Sequence, residues 1–124
     1  FINAGHESIL TFDKGKNYEY IKSDMPPIGI VKYFTESMVK SNTMNLKDKT
    51  FVVYTDGVTE GYLKNGEELG AEGVQNIINS IENINPKNIV LGIEKELNWG
   101  AEKLRDDITC MAINIENTEL IKKK

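Results

Sequence analysis

No stretch constrains this chain more than Thr50 to Gly61. Thr50-Phe51-Val52-Val53-Tyr54-Thr55, rich in β-branched and aromatic residues, runs straight into Asp56-Gly57-Val58-Thr59-Glu60-Gly61. The first half predicts a stiff strand; Thr-Asp-Gly is a turn signal that ends it. An acidic residue held at the mouth of a sheet suits hard cations, which take oxygen ligands and tolerate little wandering of them. Asp56 is therefore a candidate metal ligand, and the other elements must supply the rest of its site.

At 124 residues the chain is at most one domain, long enough to bury a real core. Its net charge of −4, with lysines spread out except at Lys122-Lys123-Lys124, argues against nucleic-acid binding. No apolar run is long enough to span a bilayer. One cysteine, Cys110, excludes an internal disulfide and fits a reducing compartment, so a cytoplasmic location is expected. The chain opens on Phe1-Ile2, which reads as the inside of a strand, so residues 1–124 are read as one partial domain of something longer.

Phe1 to His6 is expected to begin as a short strand and to turn at Gly5. Ser8–Phe12 and Tyr18–Ile21 form a hairpin through Asp13-Lys14-Gly15-Lys16. The proline pair makes Asp24–Ile30 an extended loop. Met38 to Leu46 alternates weakly and reads as an edge-like strand; Lys47-Asp48-Lys49 then turns into the central strand, Thr50–Thr55. Tyr62–Gly70 reads as a loop. Val74, Ile77, Ile78 and Ile81 mark one helix, and Ile89, Ile93 and Leu97 a second. Asn85 caps that second helix, with Pro86 at its first position and its end near Trp99-Gly100. A charged loop, Ala101 to Asp107, delivers a last strand, Ile108–Ile115. The fold class is α+β, an antiparallel sheet with two helices between the late strands.

Asp56 closes the strongest strand, and Asp106-Asp107 opens the final one. If these strands are antiparallel neighbours, the two acidic sites lie side by side and repel unless a cation sits between them. The plainer alternative makes Asp106-Asp107 a solvated turn and Asp56 the opening of a type I turn. Cys110 reads as a small buried hydrophobe, and Tyr18, Tyr20, Tyr33 and Trp99 as scattered packing residues. Arg105, next to the acidic pair in sequence, is the one basic residue considered for phosphate contact.

Asn3-Ala4-Gly5-His6, Pro27-Ile28-Gly29, Tyr54-Thr55-Asp56-Gly57-Val58-Thr59-Glu60 and Asp106-Asp107-Ile108-Thr109 occur in that order, with Glu68-Leu69-Gly70 before the first long helix. Together they resemble the C-terminal part of the SpoIIE/RsbU branch of the PPM (type 2C) serine/threonine phosphatases. The resemblance implies part of an αββα sandwich with two Mn²⁺ or Mg²⁺ ions, whose bridging water attacks phosphorus so that no protein nucleophile is needed. It places metal ligands at Asp56 and Asp106, with Asp107 in the neighbouring slot. Thr55, Gly57 and Thr109 become shaping residues, Gly57 by allowing the turn. His6 either stabilises its turn or works near the site; Glu60 is structural or bonds a metal-bound water.

The resemblance also implies a phosphoprotein substrate, an anti-sigma-factor antagonist, and regulation from an N-terminal sensor or receiver region that could tether the parent to a membrane. It places another bridging Asp upstream of Asn-Ala-Gly-His, which these residues do not supply. The chain alone is therefore expected to be inactive or nearly so, with open sheet edges that invite self-association. The alternative reading is a non-catalytic, partner-binding module with a degenerate phosphatase fold.

Overall fold

The computed structural model describes residues 1–97 and 107–116. A four-stranded antiparallel sheet runs in the order β2-β1-β3-β4, formed by β1 (Ile9–Phe12), β2 (Tyr18–Ile21), β3 (Lys49–Tyr54) and β4 (Cys110–Ile115). A single-turn helix, α1 (Asp56–Thr59), follows β3; α2 (Gly70–Ser80) and α3 (Pro86–Glu96) precede β4. This is the expected α+β layout, with the two long helices feeding the last strand.

The hairpin forms because Asp13 prepays its turn. Its Oδ1 accepts from the Gly15 and Asn17 N–H groups, while Lys16 takes the left-handed conformation at φ 58°. Strand β3 alternates strictly, with Thr50, Val52 and Tyr54 buried against the helices. Leu10 and Phe12 join them from β1, and Val74, Ile77, Ile78, Ile89, Ile93 and Leu97 close the core from the helical layer. Asn85 caps α3 by accepting the Asn88 N–H at 2.9 Å, and Pro86 opens the helix as expected. Gly92 brings α2 and α3 together, since a Cβ there would sit 2.9 Å from Ile77 Cγ2.

By the same alternation, Phe51, Val53, Met111 and Ile113 point to the opposite face of the sheet. Met111 and Ile113 are 50 % and 41 % exposed. A central strand that is apolar on both faces reads in sequence as a nearly continuous apolar run, which is why β3 stands out so strongly.

Four expectations need correction. Met38 to Leu46 is not a strand: a short 3₁₀ turn covers Glu36–Met38 and the rest is irregular. The sheet gives those residues no neighbour; Lys40 N–H instead meets Met25 Sδ, and Asn42 exchanges backbone hydrogen bonds with Phe1. Phe1–Asn3 is likewise not a strand, and only Ala4 makes an isolated bridge, to Met25. The last strand starts at Cys110, not Ile108. The segment after Thr55 is one turn of helix where a simple turn was expected. The predicted helix end at Trp99-Gly100 lies outside the described residues.

Candidate functional site

Three segments meet at one end of the sheet. Strand β3 finishes at Tyr54, whose register partner Cys110 begins β4. Strand β1 runs antiparallel to β3 from Leu10↔Val52, so its preceding residues Ser8, Glu7 and His6 lead back to that same end. The Tyr54 phenol reports the convergence: burial raises it first, then Tyr20, Glu7 and Cys110 add to the effect, and it is pushed up to about 12.

Asp56 is the first residue of α1 and is exposed. Its Oδ1 accepts the Gly57 N–H at 2.9 Å. Its carbonyl accepts the Glu60 N–H at 2.8 Å and the Thr59 hydroxyl at 3.1 Å, so a closed turn fixes the backbone under the carboxylate. Glu60 is exposed at the C-terminal end of that turn.

Segment 107–109 is fastened directly to this turn. Thr55 N–H donates to the Thr109 carbonyl at 3.0 Å. The Thr55 hydroxyl donates to the Asp107 carbonyl and accepts the Thr109 N–H, both at 3.1 Å. Gly57 is buried beneath: a Cβ there would lie 2.5 Å from the Asp107 carbonyl oxygen and 3.1 Å from its carbon. The glycine is therefore required for close approach of two backbones, not for a positive φ, which corrects the turn role expected of it. Asp107 itself is exposed. Asp106 and Arg105 lie outside the described residues.

His6 is exposed, with Nδ1 3.0 Å from the Glu7 carbonyl oxygen. What organises its loop is Asn3, 3 % exposed, the first residue of the Asn3-Ala4-Gly5-His6 motif. The Asn3 carboxamide accepts the His6 N–H at 3.0 Å and donates to the Ile21 carbonyl at 3.3 Å. Ser23 Oγ adds to the brace, accepting the Gly5 N–H at 2.7 Å and lying within bonding distance of the Asn3 and Met25 carbonyls. Gly5 takes φ 79° with the Pro27 ring packed where a Cβ would go. The sequence signal for this network is the Asn3-Ala4-Gly5-His6 motif, an Asx residue ahead of a glycine turn.

The donor chemistry at this end of the sheet fits a hard divalent cation in kind: exposed carboxylates on two segments locked side by side. Among the described residues no three His, Cys, Asp or Glu side chains cluster at ligand spacing.

Burial also pushes the Cys110 thiol from its ordinary 9.0 up to about 11. An unfolded chain loses the Cys110 and Tyr54 protons near 9.0 and 10.0, whereas the folded chain holds them to about 11 and about 12. Their contribution to stability is complete below the lower values and is lost as pH rises through the higher ones. Melting temperature should fall between pH 9 and 12, and Tyr54→Phe should flatten that fall; an unchanged slope would contradict the burial argument.

The family model described as stage II sporulation protein E (SpoIIE) matches residues 1–116. Among solved structures, the chain is similar to the Mn-presoaked phosphatase domain of the cell fate determinant SpoIIE from Bacillus subtilis, with a TM-score of 0.60 and 19 % identity. The likeness covers 93 % of this chain and 49 % of that one, so the chain spans about half the length of the domain it resembles. At that identity the likeness speaks to the fold. No match is found among curated proteins.

Proposed function

The chain belongs to the SpoIIE family, and from that premise we propose that it forms part of a PPM-type phosphatase that hydrolyses phosphoserine or phosphothreonine on a regulatory protein. One observation carries the reading: the Asp56 turn and the Asp107–Thr109 segment, far apart in sequence, are bonded together at one sheet end. In this proposal Asp56 and Asp106 hold Mn²⁺ or Mg²⁺, and Asp107 and His6 lie near the site. A pair of such ions supplies Lewis-acid activation of water and neutralises phosphoryl charge. The chain's own part is to keep its carboxylates fixed, through the α1 turn and the Thr55–Thr109 join. With two carboxylates in this role, the isolated chain would hold one ion weakly and turn over little.

The substrate we propose is a phosphorylated anti-sigma-factor antagonist, acted on in the cytoplasm and controlled by an N-terminal sensor or receiver region. Among the described residues no helix is long and apolar enough to cross a membrane. The exposed Met111 and Ile113 are proposed to favour self-association of the isolated chain. Titrating Mn²⁺ into the full-length protein that contains this chain should activate hydrolysis of p-nitrophenyl phosphate, and a chelator should abolish it. Failure to hydrolyse at any metal concentration would overturn the proposal and favour a non-catalytic, partner-binding module.

A further inference from the structure

At the end of β3 the backbone must do two incompatible things. Thr55 pairs with Thr109, and an antiparallel pair of this type exchanges two bonds, each residue donating N–H and accepting through C=O. The Thr55 N–H keeps its half, donating to the Thr109 carbonyl. Its carbonyl has already left the ladder: it accepts the Val58 N–H at 2.9 Å and so opens α1, which carries Asp56. The Thr109 N–H would be orphaned by that departure. It is not, because the Thr55 hydroxyl takes the carbonyl's place as acceptor at 3.1 Å. The same hydroxyl spends its proton on the Asp107 carbonyl, also at 3.1 Å, which lies against Gly57. A hydroxyl has one donor and can accept; both capacities are used on one short segment.

We infer that Thr55 is a positioning residue for the metal centre, its hydroxyl acting as a clasp that sets the separation between Asp56 and the segment that begins at Asp107. The inference rests on the phosphatase reading above. Asp56 is one residue beyond the clasp on one side, and Asp107 is held by its own carbonyl on the other. Carboxylates contributed by two segments serve one cation only if their backbones hold a fixed spacing, and groups that orient ligands are felt in metal affinity. Valine has nearly the shape of threonine but cannot bond, and would leave the Thr109 N–H and the Asp107 carbonyl without this partner. Serine keeps the hydroxyl and loses only a methyl group.

The test compares Thr55→Val and Thr55→Ser in the full-length protein, using calorimetric titration with MnCl₂ alone and p-nitrophenyl phosphate kinetics. Thr55→Val should weaken Mn²⁺ binding roughly tenfold or more, while Thr55→Ser stays within about threefold of wild type. The KM for the ester should change less than about twofold in either variant, since the clasp acts on the metal ligands and not on substrate contacts. A purely structural role would lower the melting temperature of Thr55→Val and leave its Mn²⁺ affinity intact, and that result overturns the inference. Should Thr55→Val not fold, amide exchange on the wild type decides: Thr109 protected as strongly as Met111, the next β4 residue whose N–H faces β3, supports the clasp, and exchange at the rate of an exposed loop overturns it. A wild type that binds no Mn²⁺ and hydrolyses nothing overturns this inference and the phosphatase reading together. Wild-type binding and turnover with an unaltered Thr55→Val overturns the inference alone.

Discussion

Asp56→Asn is expected to lower Mn²⁺-dependent hydrolysis by the full-length protein roughly 10³-fold, the rate equivalent of about 4 kcal/mol of lost stabilisation. The change removes charge and little else. An asparagine Oδ1 can still accept the Gly57 N–H that Asp56 now accepts at 2.9 Å, so the α1 turn keeps its internal bond. Asp56 is exposed and belongs to no core cluster, so stability should stay within about 0.5 kcal/mol of wild type. A large loss of turnover with an unshifted melt is the pattern a metal-binding carboxylate predicts. Asp106→Asn should behave in the same way, because the proposal gives both residues one role. Turnover retained in both variants would sink the ligand assignment, while loss accompanied by unfolding would point to a structural function for the turn.

The site's layout was legible before its contacts were. Asn85-Pro86 and the Ile89–Ile93–Leu97 stripe specify α3 because capping and helical periodicity are local, and the β1–β2 hairpin follows from Asp13 in the same way. That the end of β3 lies beside the start of β4 follows from antiparallel pairing of the two strongest late segments. What local pattern cannot carry is any role that depends on a partner fifty residues away. Gly57 looks like a turn glycine in sequence; only the Asp107 carbonyl against its Cα reveals the close approach. Helix α1, at four residues, is too short to leave a periodicity. Met38 to Leu46 has strand-like alternation, but a strand is a relation between two segments, and here Phe1 and Met25 hold the backbone in an irregular path instead. Asn3 shows the same limit: Asn3-Ala4-Gly5-His6 stands out as a motif, but only burial and long-range partners reveal that three bonding atoms of Asn3 frame the His6 loop.

The Asp107 contact makes Gly57→Ala the more demanding test of the site's construction. Gly57 has no positive φ, so alanine brings no backbone strain of its own. Its Cβ would stand 2.5 Å from the Asp107 carbonyl oxygen, and ordinary contact begins near 3.4 Å, a shortfall of about 0.9 Å. The obstacle is backbone that is also bonded to the Thr55 hydroxyl, so no side-chain rotation can relieve it. Segment 107–109 must withdraw, and displacing ligands by about 1 Å can cost on the order of 10²-fold in rate, with about 1–3 kcal/mol of overpacking on stability. Gly73→Ala is the contrasting case. Its Cβ would meet only side-chain atoms, Leu69 Cδ1 at 2.6 Å and Cγ at 3.1 Å, and the cost of shifting that buried leucine is offset by roughly 0.5–1 kcal/mol of helix propensity for alanine in α2. It should therefore melt near wild type and keep its turnover. Kinetics at a temperature well below both melts separate the two: if Gly57→Ala hydrolyses as fast as Gly73→Ala, the close approach at Asp107 is packing without consequence for the site.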